Sequence, residues 1–225
     1  AYVLEFGNEY IRFIKNYERI EATSAPYEIS SPYLTADLFD VKIIQDADVM
    51  YLVHPDYSPR KLERTGTVAG SDYVWTLTVI DFVDGPYLDE NDTATTIAPG
   101  ATTGNTTATV VGTGIFDPLH VGSIWRIKHS TTWGYFKITY VTTNKLANIT
   151  VLSTLGGTGA VTVWREGAFS DYRGYPTCLA FHEQRLLFSG VANNPQTIYA
   201  SWVGAYEDFT PPGTEDDGAY THTIA

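Results

Sequence analysis

The chain has 225 residues, 44% hydrophobic and 18% charged, a balance typical of a globular protein and not of a disordered one. Its 14 Lys and Arg residues against 26 Asp and Glu residues give a formal net charge of -12, which disfavours adhesion to nucleic acid or anionic membranes. A single cysteine, Cys178, excludes an intrachain disulfide framework, and no apolar run approaches the roughly 20 residues of a membrane-spanning helix.

The first 86 residues have the pattern of short strands and tight turns. Residues 2–6 and 9–14 alternate apolar and polar side chains around Gly7-Asn8, which predicts a β-hairpin. Residues 35–39 predict one short helical turn with Thr35 as its cap. Further strands are predicted at residues 49–53, 60–64 and 75–82, with a loop at 54–59.

The composition changes after Gly85-Pro86. Residues 91–114 are rich in Thr, Ala and Gly and almost without charge, and strand-like runs follow at 123–129, 133–142, 147–152 and 160–164. Short, evenly spaced strands joined by turn residues predict a small β-barrel or sandwich. We therefore predict an inserted domain at residues 87–165, called the insert below.

The pattern of short strands and tight turns returns after residue 166, and pairs of strands with a common plan recur along the chain. Three pairs of strands share one plan of apolar strand, loop and second strand, at residues 2–14, 49–64 and 185–201. Such units build the blades of β-propellers, although a β-sandwich also accommodates three hairpins. The sequence therefore predicts an all-β chain in which residues 1–86 and 166–225 form one fragmented, β-propeller-like body.

Three stretches of this body are specific enough to compare with a family. They are residues 2–13 (YVLEFGNEYIRF), residues 47–55 (ADVMYLVHP) continued by 59–62 (PRKL), and residues 181–190 (FHEQRLLFSG) followed by 194–196 (NPQ) and 204–209 (GAYEDF). The stretches resemble the tail nozzle proteins (tail tubular protein B) of short-tailed phages and their prophage relatives. Residues 164–174 fit the same family, and the insert matches less distinctively. The resemblance implies an internal piece of a longer polypeptide.

The resemblance also implies a function. Proteins of this family form a ring of identical subunits at the end of the tail tube, beside other tail proteins such as adaptor, fibre or needle proteins. The ring is a conduit through which DNA passes without specific binding. The chain is therefore expected to be a structural protein of the virion tail, made in the bacterial cytoplasm, with no enzymatic activity in this region and no cofactor.

No residues are predicted to form a catalytic, cofactor-binding or metal-binding site. The run His182-Glu183-Gln184-Arg185 contains acid–base groups, but no nucleophile or second carboxylate lies beside it, so a turn is the favoured interpretation. The five histidines show no metal-ligand spacing. Acidic loops at 89–92 and 215–218 carry oxygen ligands that suit calcium, but they lack the EF-hand spacing, and solvated turns are favoured.

Aromatic residues are dense in the insert, at Trp125, Trp133, Tyr135, Phe136, Tyr140 and Trp164. The core of a small barrel is the favoured interpretation, and a sugar-stacking platform is the other. A carbohydrate-binding or adhesion module of a phage tail is thus the alternative function. A glycoside hydrolase needs two paired carboxylates, and Asp81, Asp84 and Glu166 cannot be paired from the sequence. Cys178 lies in an apolar strand, which predicts an inert buried thiol.

Overall fold

The structure, a computed structural model, describes residues 1–22, 24–68 and 71–224. This part of the chain contains 21 strands and one short 3-10 helix, η1 (Pro118–His120), and the strands of each sheet pair antiparallel. The predicted all-β class is therefore confirmed. No helix within these ranges has the length and the apolar character that crossing a membrane requires.

The first sheet contains the predicted N-terminal hairpin. Its strands are β1 (Val3–Gly7), β2 (Tyr10–Lys15), β3 (Glu18–Arg19) and β6 (Glu28–Ser30), and a separate ribbon pairs β4 (Glu21–Ala22) with β5 (Ala25–Pro26). The hairpin turn lies at Asn8-Glu9, where Glu9 has a left-handed backbone conformation with φ 62°. Asn8 Oδ1 accepts hydrogen bonds from the backbone N–H and the hydroxyl of Thr35, which ties this turn to the next loop.

Two further four-stranded sheets follow the chain as simple meanders. The second sheet is β7 (Lys42–Asp46), β8 (Val49–His54), β9 (Tyr57–Val68) and β10 (Ser71–Val79), and the fourth is β18 (Cys178–His182), β19 (Arg185–Val191), β20 (Asn194–Ala200) and β21 (Tyr220–Thr223). The predicted pairs at 49–64 and 185–201 are confirmed as β8–β9 and β19–β20. Their loops are shorter than predicted, because β9 already begins at Tyr57 and β20 at Asn194.

Strand β8 of the second sheet is buried on both faces, as the apolar run at residues 49–53 predicted. Tyr51 and Val53 pack in one core cluster with Phe188 of the fourth sheet. Leu52 packs in another cluster with Phe13 of the first sheet. Successive side chains of a strand point to opposite faces, so the first and fourth sheets cover opposite faces of the second.

The third sheet has seven strands and belongs to the insert. They are β11 (Tyr87–Glu90), β12 (Thr96–Pro99), β13 (Gly104–Val111), β14 (Ile124–His129), β15 (Thr132–Thr143), β16 (Leu146–Val151) and β17 (Trp164–Gly167), in the spatial order β11-β17-β14-β15-β16-β13-β12. None of the sheets in the described ranges closes into a barrel. The third sheet curls strongly, however, because Ile97 of its last strand exchanges two 3.0 Å backbone hydrogen bonds with Val161, just before β17.

The curled sheet surrounds its own core. That cluster consists of Ile97, Ala108, Val110, Phe116, Trp125, Ile127, Phe136, Ile138, Val141, Ala147, Ile149, Leu155 and Trp164. The two ends of the insert lie side by side, because Tyr87 pairs with Gly167 and the Ala168 N–H donates to the Pro86 carbonyl at 2.9 Å. The division of the chain into residues 1–86, 87–165 and 166–225 as folding units stays a prediction.

Three local predictions were wrong. The strand predicted at residues 160–164 does not form, because Val161 makes only an isolated bridge to Ile97 and β17 begins at Trp164. Residues 35–40 form hydrogen-bonded turns and not a helical turn, because the Asp37 carboxylate accepts the Leu34 N–H and Asp37 N–H donates to the Leu34 carbonyl. Cys178 is exposed and not buried. Strand β18 is an edge strand of the fourth sheet, and its buried face carries Leu179 and Phe181 while Cys178 points to the other side.

We expect residues 87–167, expressed alone, to unfold cooperatively on addition of urea. The physical reason is that these residues contain a complete apolar core and have adjacent ends, as a tolerated insertion requires. Tryptophan fluorescence measures the transition directly, since Trp125 lies in the core. The same fragment with Ile127→Ala, which removes a buried core side chain and keeps Trp125, serves as the control and should unfold at lower urea. A gradual, non-cooperative loss of signal in the unsubstituted fragment would contradict the prediction.

Candidate functional site

The junction between the insert and the rest of the chain concentrates the buried charged groups of the protein. The chain enters the insert through residues 83–86 and leaves it through residues 166–170. Gly85 has φ +137°, and a Cβ at this position would lie 2.6 Å from the Phe209 carbonyl oxygen, so only glycine fits there. The Phe209 N–H in turn donates to the Val83 carbonyl at 2.9 Å. The entry segment is thereby held against the loop that joins β20 and β21 of the fourth sheet.

Glu166 at the exit is a buried carboxylate with cationic and imidazole partners. Its Oε1 accepts from Arg173 Nε at 2.7 Å and lies 3.0 Å from His120 Nε2, and its Oε2 accepts from Arg173 Nη2 at 2.6 Å. Burial alone would raise the pKa of Glu166, but the hydrogen bonds from Arg173 and His120 outweigh burial and lower it. The carboxylate is therefore charged at neutral pH and fully engaged in these contacts.

The two ring nitrogens of His120 have different hydrogen-bond partners, the Asp117 backbone within the insert and the Glu166 carboxylate at the exit. The Asp117 N–H donates to His120 Nδ1 at 2.9 Å, so Nδ1 carries a lone pair and Nε2 carries the hydrogen that Glu166 accepts. The Asp117 carboxylate accepts the Leu119 N–H in return, which completes a capping box around η1. His120 is 1% exposed. Its geometry is that of a structural link between the insert core and the exit segment.

Asp84 at the entry forms a second buried cluster. Its Oδ1 accepts from the Tyr87 hydroxyl at 2.7 Å and lies 3.5 Å from Arg126 Nε of β14. Burial raises the pKa of Asp84, although the hydrogen bond from Tyr87 and the charge of Arg126 oppose this rise. Burial and the neighbouring Asp84 carboxylate also raise the pKa of the Tyr87 hydroxyl well above its ordinary value. Each crossing between the insert and the rest of the chain thus contains one buried carboxylate.

A cleft of about 280 Å³ lies between the two crossings. Its lining is mainly apolar and includes Phe82, Ile124 and Phe169. Lys137 and Asp81 are the charged members of the lining, and Lys137 Nζ lies 3.4 Å from Asp81 Oδ1. The carboxylates that a glycoside hydrolase would have to pair are therefore engaged separately: Asp81 by Lys137, Asp84 by Tyr87 and Glu166 by Arg173.

The run His182-Glu183-Gln184-Arg185 is a tight turn and the start of a strand. Glu183 and Gln184 have φ 48° and 59°, and the Gln184 carbonyl accepts the Gly204 N–H at 2.7 Å. Arg185 Nη1 donates to the carbonyls of Ser201 and Gly218, both at 2.6 Å. The favoured interpretation of this run as a turn is confirmed. The anchoring role of Arg185 has no local sequence signal, because its partners lie 16 and 33 residues away.

The acidic loops make hydrogen bonds within the protein, and the aromatic residues of the insert lie partly in its core and partly on its surface. Asn91 of the first loop is used internally, since its side-chain amide donates to the carbonyls of Thr95 and Thr162. Glu215 of the second loop accepts backbone N–H groups of that same loop, and no cluster of three or more potential metal ligands occurs in the described ranges. Trp125, Phe136 and Trp164 lie in the insert core, whereas Tyr140 is exposed and Trp133 and Tyr135 lie partly exposed on the outer face.

Comparisons with known proteins assign the chain to no family. No protein-family model matches the sequence, and no curated protein is significantly similar to it. The function is therefore argued from the residues and their geometry.

Proposed function

We propose that the chain is a structural subunit of the tail nozzle of a short-tailed phage or prophage, where a ring of copies forms a conduit for DNA. The observation that carries this proposal is that two residues within the stretches that resemble the family have structural roles. The Asn8 side chain joins the first hairpin turn to the loop at Thr35, and the Arg185 side chain joins the start of β19 to the loop between β20 and β21. Scaffold residues of this kind suit a structural subunit.

A propeller-like body is part of the proposal. Propeller blades are four-stranded antiparallel sheets that bury their faces on their neighbours. The first, second and fourth sheets have four strands each, and the second is covered on both faces. A closed propeller needs at least about four blades. In the proposed assembly the remaining faces and strand edges are covered by further blades or by neighbouring subunits of the ring.

Electron microscopy tests the proposal directly. The purified protein should form closed rings in negative stain. An antibody raised against residues 1–225 should label the tail tip of phage particles released from the producing cells. An antibody raised against a capsid protein of the same particles is the control and should label the head. Protein that stays monomeric, together with particles that the tail antibody does not label, would contradict the proposal.

We expect the chain not to bind duplex DNA with micromolar affinity, even at low salt. Tight DNA binding requires several phosphates to be neutralised by clustered cations, and this chain has 14 Lys and Arg residues against 26 Asp and Glu residues. Weak binding suits a conduit, because a negatively charged wall repels the negative phosphates of DNA and so does not retain the DNA as it passes. Fluorescence anisotropy with a labelled duplex in low-salt buffer measures this, where electrostatic attraction is least screened. Micromolar binding that weakens steeply with added salt would overturn it.

A further inference from the structure

Two arginines lie opposite each other on the outer face of the third sheet. Arg126 of β14 and Arg165 of β17 are direct partners in the strand register. Arg126 is 8% exposed, and Arg165 is partly exposed. Two guanidinium groups in register repel each other, and an anion close to both reduces this repulsion.

The Nε atoms of both guanidinium groups lack a hydrogen-bond acceptor among the described residues. Each arginine has five N–H donors, and neither side chain donates a hydrogen bond to any residue that the structure describes. The Nε atoms of both are buried without a partner. The nearest carboxylate oxygens, of Asp84 and Glu90, lie 3.5 Å from Arg126 Nε and 3.8 Å from Arg165 Nη2. Leaving donors of charged groups unpaired costs free energy, and an anion bound beside the partly exposed Arg165 would offset that cost.

Two neighbouring side chains contribute to this pair of arginines: Lys128 adds a third cation, and the Trp133 ring holds Arg126 in position. Arg126 Cζ lies 4.5 Å from the ring centre of Trp133, and Lys128 Nζ lies 5.4 Å from the same ring. Lys128 faces Trp133 across the strands β14 and β15. Stacking on an indole ring orients a guanidinium without using its N–H groups. Arg126, Arg165 and Lys128 therefore outnumber the two nearby carboxylates of Asp84 and Glu90, in a chain whose overall charge is -12.

We propose that Arg126, Arg165 and Lys128 form a binding site for a single phosphate group. The flat fork of a guanidinium matches two oxygens of a phosphate, and two guanidinium groups in register offer such forks from neighbouring strands. Trp133 holds the Arg126 fork in place. The phosphate comes either from a free phosphate ion or from the phosphodiester backbone of single-stranded nucleic acid, and both present the same oxygens to the site. One site of this kind does not give micromolar duplex binding.

The Nε–Hε nuclear magnetic resonance signals of arginine report on this site directly. Residues 1–225 are titrated with potassium phosphate, and with potassium chloride at equal ionic strength. Phosphate should shift the signals of Arg126 and Arg165 saturably, and chloride should not. The variants Arg165→Gln and Lys128→Gln should bind phosphate about tenfold more weakly, since each removes one charged donor. Arg126→Lys keeps the charge but loses the fork, and should weaken binding in a protein that retains its fold.

Lys145→Gln is the matched control, because Lys145 is an exposed cation in the turn between β15 and β16, outside this site. It should leave phosphate binding unchanged. A second titration uses a short oligothymidylate. If the oligomer shifts the same two signals at lower concentration than phosphate does, the natural source is nucleic acid, and if only phosphate shifts them, it is the free ion. The proposal is overturned if neither ligand shifts these signals, if chloride shifts them equally, or if Lys145→Gln weakens binding as much as Arg165→Gln.

Discussion

Replacing Arg185 with methionine should lower the free energy of unfolding by about 3 kcal/mol, because it leaves buried carbonyl groups without donors. Arg185 is 6% exposed and donates to the carbonyls of Ser201, Gly218 and Asp216. Methionine fills a similar space but donates nothing. The loop between β20 and β21 would lose its main tie to the start of β19, so the fourth sheet should be the first part to loosen.

Urea unfolding followed by circular dichroism measures this loss. Arg19→Met is the matched control, because Arg19 is exposed at the end of the short strand β3. The control should change the free energy of unfolding by no more than about 0.5 kcal/mol. Hydrogen exchange should show reduced protection of the amides of β19 to β21 in Arg185→Met alone. Equal stability of the two variants would show that Arg185 does not anchor the loop.

The substitution Glu166→Gln should destabilise the protein by about 2–3 kcal/mol at neutral pH, because it leaves the partly buried Arg173 without its counter-charge. The effect should depend on pH. Arg173 and His120 lower the pKa of Glu166 in the folded protein, so the stabilisation is fully present above its ordinary value of 4.5. It is lost as the pH falls below that value through the lower folded pKa, since the unfolded chain then binds the proton more readily.

Unfolding curves recorded from neutral to strongly acidic pH test both parts of this prediction. The stabilities of the unsubstituted protein and Glu166→Gln should converge as the pH falls below 4.5. Glu90→Gln is the control, since Glu90 is a more exposed carboxylate 3.8 Å from Arg165, and its effect should be small at every pH. A difference between Glu166→Gln and the unsubstituted protein that stays constant through the acidic range would refute the assigned role of the carboxylate.

The sequence could predict those parts of the fold that have a local periodic signal. Residues 49–53 form an uninterrupted apolar run, and the structure buries both faces of that strand. The alternation around Gly7-Asn8 likewise predicted the first hairpin. Strands β12 and β13 were missed, because their Thr, Ala and Gly residues carry no apolar alternation. Their burial comes from Ile97 and Val110 packing on distant residues of the insert core.

The buried clusters at the junction could be predicted only in part. Asp117-Pro118 with His120 three residues after the aspartate has the spacing of a capping box, so the turn itself was within reach of the sequence. The pairing of His120 with Glu166 joins residues 46 positions apart and depends on the order of strands in the third sheet. Cys178 was placed on the wrong side of its strand, because an apolar run does not indicate which face of an edge strand meets the core.

The adjacent ends of the insert have a mechanical consequence. The chain enters the insert after Pro86 and leaves it before Ala168, and a direct backbone hydrogen bond joins these two residues. A tensile load along the polypeptide would therefore cross from one to the other without stretching the seven-stranded sheet, as long as this bond and the β11–β17 pair hold. Those antiparallel bonds would open one after another under a pull at both ends. The insert is thus a side branch outside the load path, and its length and loops can vary without changing how force passes through the rest of the molecule.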